Sequence, residues 1–213
     1  MLLDPIRVLL VDDHTIARNG VRLMLGTADD IEVRAEAANA QEALELARAA
    51  AFDVALLDIT MPGMNGLDLL RKLRALCPGM AALMLSTYAE EIYAVRALRL
   101  GAAGYLTKDV PTPVLVDAVR RAAAGRKYVS PTLMDKLASM VSGEAAASGH
   151  EVLSNRELEV FKLIAQGEPL IVIGERLHLS PNTITTYRTR ILDKMGMSSN
   201  AEITRYALEN GLI

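Results

Sequence analysis

Five short apolar runs, separated by stretches with helical spacing, constrain this chain more than any other feature. The runs are Ile6 to Val11, Ile31 to Ala37, Val54 to Leu57, Ala81 to Leu85 and Gly104 to Leu106. Between them, apolar residues recur every three or four positions over Ile16 to Leu25, Ala40 to Ala50, Leu67 to Leu76 and Ile92 to Leu100, and a last helix follows Pro113. An apolar run bounded by turn residues reads as a strand buried on both faces, as in a parallel sheet with helices packed on either side. The alternation predicts a doubly wound α/β domain with a five-stranded parallel sheet, closing near Gly125.

After Gly125 the pattern changes. Pro131 to Val141 reads as one amphipathic helix, and the small, polar Ser142 to Gly149 (SGEAAASG) has the composition of a linker, so residues 126–151 are expected to connect two domains. From Val152 the strands stop, and 152–213 reads as a small all-α domain of four helices: Asn155 to Ala165, Leu170 to Leu177, Pro181 to Met195 and Ala201 to Asn210. Local residues set each break. Gly167 and Pro169 end the first helix and start the second, Ser180 and Pro181 make an N-cap and N1 pair, and Gly196 ends the third.

Composition limits the classes of function. Of 213 residues 51% are hydrophobic, enough for the cores of one large or two ordinary domains. The apolar runs fall short of a membrane span, and Asp4, Pro5 and Arg7 interrupt the N-terminal segment where a signal peptide needs an unbroken apolar core. A cytoplasmic protein without a membrane partner is expected. The single cysteine, Cys77, excludes an intrachain disulfide and a cysteine-cluster metal site, and reads as packing. His14, His150 and His178 show no ligand spacing. The formal charge of −3 neither demands nor forbids a nucleic-acid partner.

The stretch from Phe52 to Gly66 (FDVALLDITMPGMNG) carries the first chemistry. Its apolar run ends on Asp58 and is stopped at once by Thr60, Pro62, Gly63 and Asn65, which places Asp58 where a strand leaves the sheet. Asp12 and Asp13 follow the first strand in the same way. In the order 2-1-3-4-5 the first and third strands are neighbours, and their carboxyl ends flank the crevice where ligands bind. Three crowded carboxylates call for a cation, and an all-oxygen set with room for water suits Mg²⁺. Read alone, Asp12 and Asp13 serve equally well as caps for the helix that begins near Thr15. Ser86 ends the fourth strand and Lys108 follows the fifth, after Tyr105. A hydroxyl and an ammonium at that rim suit the oxygens of a phosphoryl group on Asp58. Singly, each also reads as a strand-end hydroxyl or a solvated lysine.

These residues carry a resemblance. VDDH at 11–14, LDITMPGMNG at 57–66, MLST at 84–87 and GAAGYLTKD at 101–109 resemble the flavodoxin-like receiver domain of two-component response regulators over the first 125 residues. The resemblance implies that Asp58 accepts a phosphoryl group from a phosphohistidine of a sensor histidine kinase, or from a small phosphodonor. It implies Asp13 as a direct Mg²⁺ ligand, Asp12 through water, Asp58 itself, and the Thr60 main-chain carbonyl as a further ligand. Lys108 would reach a phosphoryl oxygen, and Ser86 with Tyr105 would form a switch. Phosphorylation adds nearly two negative charges. Ser86 would turn toward them and Tyr105 would rotate inward, altering the surface of the fourth helix, fifth strand and fifth helix.

In the second domain, Leu170 to Leu177, the turn HLSPN and Pro181 to Met195 have the helix, turn, helix arrangement of a DNA-binding motif. Ile184, Ile191 and Met195 share one side of the third helix, and Asn182, Thr185, Thr186 and Thr189 the other, beside Arg190. Short polar side chains on such a face suit the major groove, with Arg188, Arg190 and Lys194 placed for phosphates. Periodicity alone fits a helical bundle with a solvated polar face as well. LSNRELEVFKLIAQG at 153–167 and IGERLHLSPNTITTYRTRILDKMGM at 173–197 resemble the LuxR, FixJ and NarL type of domain, nearest in wording to the branch of the virulence regulators BvgA and EvgA. That implies a transcription regulator with its third helix in the major groove of promoter DNA and its fourth in a homodimer formed on phosphorylation.

Two departures stand out. Pro169, Leu170, Ile171 and Val172 replace a usual serine or threonine followed by Asn-Lys-Glu, and Thr185 and Thr189 stand where many members carry lysine. Arg156, Lys162, Arg176, Arg188, Arg190, Lys194 and Arg205 are balanced by Glu157, Glu159, Glu168, Glu175, Asp193, Glu202 and Glu209, so 152–213 is neutral and modest intrinsic affinity helped by dimerisation is expected. Two other classes compete. A phosphatase of the haloacid dehalogenase type needs a second aspartate two residues after the nucleophile, where this chain has Thr60, so no enzyme is expected. An adaptor that works through protein contacts stays open because of residues 169–172.

Overall fold

The computed structural model describes residues 4–87, 90–141 and 149–213, and divides into two compact units, Met1–Ser139 and Met140–Ile213. In the first unit the strands are β1 (Ile6–Val11), β2 (Ile31–Ala37), β3 (Val54–Asp58), β4 (Ala81–Ser86) and β5 (Gly104–Thr107). All pair in parallel in the order β2-β1-β3-β4-β5, as the alternation of runs and helices predicts. The helices are α1 (Thr15–Leu25), α2 (Ala40–Ala49), α3 (Gly66–Leu76), α4 (Glu90–Arg99), α5 (Thr112–Ala123) and α6 (Pro131–Val141).

Alternation along each strand assigns the two faces. Val8, Leu10, Val54, Leu56, Leu83 and Leu85 meet Val21 and Leu25 of α1 and Leu115 and Val119 of α5 in one core. Leu9, Val11, Leu57 and Met84, at the intervening positions, are also fully buried. Burying one such side chain contributes about 2–3 kcal/mol. This two-sided burial is why the strands read as unbroken apolar runs. Beyond Gly125 the chain stays attached to the sheet edge, because the Tyr128 N–H donates to the Ala103 carbonyl at 2.8 Å.

Within the expected linker, residues 142–148 lie outside the described residues, and Gly149 opens a 3-10 turn, Gly149–Val152. The second unit then holds α7 (Asn155–Ala165), α8 (Leu170–Leu177), α9 (Pro181–Met195) and α10 (Asn200–Glu209). α7 begins with a capping box in which Ser154 accepts from the Glu157 N–H and the Glu157 carboxylate accepts from the Ser154 N–H. Such caps contribute about 1 kcal/mol. Phe161 of α7 lies edge-on to Tyr206 of α10, whose hydroxyl accepts from the His150 N–H at 3.1 Å. Among the described residues no helix is long and apolar enough to cross a membrane.

Candidate functional site

Sheet register brings the acidic residues together. Val11 pairs with Leu57, so Asp12, one residue beyond β1, and Asp58, the last residue of β3, leave the sheet side by side. They are 1% and 4% exposed. Lys108, just past β5, places Nζ 2.7 Å from Asp12 Oδ2 and 3.2 Å from Asp58 Oδ1. Its own N–H donates to the Ser86 carbonyl at 2.8 Å, fixing the loop against the end of β4. Ser86 is buried opposite Thr107, and Tyr105, opposite Met84, is fully buried.

The loop after β3 is moulded to the strand end. The Gly66 N–H donates to the Ile59 carbonyl at 2.8 Å, and a Cβ at this position would lie 1.9 Å from the Asp58 carbonyl oxygen, so only glycine fits. Buried Asn65 caps α3 by accepting from the Asp68 N–H at 2.9 Å. Thr60 is half-buried in this loop, two residues beyond Asp58.

Burial is the largest influence on the Asp58 carboxyl and pushes it up; Lys108 draws it down, Asp12 and Asp13 raise it again, and it settles at about 6. Burial acts to lower the Lys108 ammonium, but Asp58 and Asp12 outweigh it and the group is raised. One ammonium does not balance three carboxylates. Asp12, Asp13, His14 and Asp58 each offer a ligand atom, all within 4.8 Å of one another. Asp13 Oδ1 is buried and accepts no hydrogen bond, with His14 Nδ1 2.9 Å away. An orphan oxygen among converging carboxylates fits a hard divalent cation with part of its water shell.

Arg18 escaped the sequence reading. Its guanidinium donates to the Asp12 carbonyl at 2.6 Å and to Glu36 Oε2 at 3.0 Å, tying the acidic loop to α1 and β2. Its position one turn into α1 is readable; its pairing with Glu36 depends on the β1–β2 register, which shifts between Val8 and Leu9.

In the second unit the turn between α8 and α9 is tight. A Cβ on Gly174 would meet the Leu179 carbonyl at 2.8 Å, and His178 ends α8 with φ of 52°. Ser180 caps α9 and Pro181 opens it. Ile184, Ile191 and Leu192 are buried, while Asn182, Thr185, Thr186, Thr189 and Arg190 are exposed together. Two residues expected to meet phosphates are engaged internally. Arg188 Nε donates to Asn200 Oδ1 at 2.6 Å, and Lys194 Nζ lies 2.6 Å from Glu157 Oε2, a buried carboxylate that needs a cation. Where the chain departs from the usual polar start of α8, Ile171 is 62% exposed and Val172 is exposed beside it.

Comparison with known proteins places each unit in a family. Residues 8–120 match the family model of the response regulator receiver domain, and residues 151–207 that of bacterial regulatory proteins of the luxR family. Response regulator GacA of Pseudomonas protegens is 36% identical over 208 residues, covering 98% of this chain and 98% of its own. Response regulator UvrY of Escherichia coli K12 is 35% identical over 208 residues, covering 97% of this chain and 95% of its own. The crystal structure of response regulator ChrA, from a heme-sensing two-component system, is 34% identical, covers 99% of this chain and 100% of its own, and superposes with a TM-score of 0.54.

Proposed function

The chain belongs to the two-component response regulators that carry a LuxR-type DNA-binding domain, and on that premise we propose that Asp58 is its phosphoacceptor. The observation that carries this reading is the convergence of Asp12, Asp13, Asp58 and Lys108 on one crevice, with Asp58 almost wholly out of water. Lys108 Nζ and the Ile59 N–H both address Asp58 Oδ1, which leaves Oδ2 to attack phosphorus. The new P–O bond forms as the P–N bond of a kinase phosphohistidine breaks, and the departing imidazole keeps the electron pair. Lys108 is placed to follow the charge as it spreads onto the phosphoryl oxygens. Asp12, Asp13, Asp58 and the Thr60 carbonyl would hold Mg²⁺, which when bound neutralises charge between the carboxylates and the phosphoryl group. Ser86 and Tyr105 form the switch, Ser86 by donating to a phosphoryl oxygen.

The receiver is residues 1–125 and the DNA-binding domain 152–213, joined by 126–151. The phosphorylated chain acts as a homodimer in the cytoplasm, its α9 in the major groove of promoter DNA and α10 at the dimer contact. Incubation with radiolabelled acetyl phosphate and Mg²⁺ tests the acceptor. Acid-labile label on the wild type and none on Asp58→Asn is the expected result; label persisting on the variant would move the acceptor elsewhere.

A further inference from the structure

We propose that α9 reads DNA as a surface of methyl groups and hydrogen-bond acceptors, selecting half-sites that offer thymine methyls and the amino groups of adenine or cytosine. The inference rests on α9 being the reading helix. Thr185, Thr186 and Thr189 are all exposed, yet each hydroxyl donates backward along the helix, to the carbonyls of Pro181 at 3.0 Å, Asn182 at 2.9 Å and Thr185 at 3.1 Å. A hydroxyl has one proton and two lone pairs. With the proton committed to the helix, the lone pairs and the methyl are what a base edge meets.

The surrounding residues sharpen the pattern. Thr185 and Thr189 form one row along the helix, and Asn182, Thr186 and Arg190 form a second. The second row lines a shallow concavity with Thr183 and Tyr187. Arg188 turns its Nε to Asn200 and Lys194 its ammonium to Glu157, so donors in the second row itself are Asn182 and Arg190, at its two ends. In the major groove guanine presents two acceptors, N7 and O6, which an acceptor surface opposes. Thymine presents its methyl beside a single acceptor, O4, adenine an amino group beside N7, and cytosine an amino group alone. Guanine is therefore disfavoured opposite the threonine rows and accommodated only where Arg190 reaches.

The test uses the full chain treated with acetyl phosphate. A binding site is first selected from random DNA, and each thymine is then replaced singly by deoxyuridine, which removes only the methyl. At contacted positions the wild type is expected to lose about threefold to fivefold in affinity, the worth of one buried methyl. Thr185→Ser and Thr189→Ser, which keep the hydroxyl, are expected to bind thymine and deoxyuridine alike at the matching position. Thr185→Val and Thr189→Val keep the methyl and are expected to lose preference for adenine or cytosine instead. Both positions are exposed, and thermal melts on all four variants check for an unchanged fold. Deoxyuridine effects that the serine variants leave intact, or guanine selected against the threonine rows, would overturn the proposal while leaving α9 a reading helix. Failure to select any sequence would remove the DNA-reading role itself, and the proposal with it.

Discussion

Asp58→Asn should make the metal-free protein more stable at pH 8, although it alters a buried residue at the centre of the site. Burial and the neighbouring Asp12 and Asp13 outweigh Lys108 and lift this carboxyl from 3.8 to about 6. A raised acid favours the folded state in its protonated form. Its contribution is complete below the unfolded value and is lost as pH climbs through the folded one. A shift of roughly two units at about 1.4 kcal/mol each amounts to about 3 kcal/mol lost by pH 8. Asparagine is neutral throughout and escapes that loss, while Lys108 keeps Asp12 as partner at 2.7 Å. Urea unfolding in EDTA, followed by circular dichroism, should show the variant ahead by about 3 kcal/mol at pH 8 and by about 1 kcal/mol at pH 4.5. Mg²⁺ should close the gap at pH 8 by stabilising the wild type. A variant no more stable than wild type in EDTA at pH 8, or a gap that ignores pH, would refute the reasoning.

Three further perturbations probe other links. Arg18→Ala removes the donor that holds the Asp12 carbonyl, and should weaken Mg²⁺ binding about tenfold by calorimetric titration without moving the acceptor. Lys194→Ala strands buried Glu157 and should cost about 1–2 kcal/mol in urea unfolding, since Lys194 itself is partly exposed. The same variant should leave the salt dependence of DNA binding unchanged, whereas losing a phosphate contact would lower that slope by about 0.9. His178→Gly relieves a left-handed residue and should stabilise the helical unit by about 0.5 kcal/mol, measured by thermal unfolding.

The sheet and its order were legible because parallel strands buried on both faces leave continuous apolar runs, and because Asp58 follows such a run without a gap. Two helix ends in the second unit were legible for a different reason: Ser180 and Gly196 each mark a terminus of α9 through their own local chemistry. Pairings set by distant register were not. Nothing local to Lys194 announces Glu157, which lies 37 positions away, and its place near the end of a polar helix invites a phosphate reading instead. Nor does the neighbourhood of Arg18 reveal Glu36. The threonine hydroxyls also defied a sequence reading, since their orientation is a rotamer choice made within the helix.

The inward pairing of Lys194 and Arg188 bears on where the regulator resides before any signal arrives. Attraction to arbitrary DNA grows with the number of cations free to displace counterions. A helical domain of no net charge, with Lys194 paired to Glu157, is expected to have a weak hold on the bulk chromosome. On the proposed function, idle copies are expected to spend more time in free solution, within reach of the kinase, than parked along the genome. Each phosphorylation event would then draw on that whole pool, and promoter occupancy is expected to follow the concentration of phosphorylated chains.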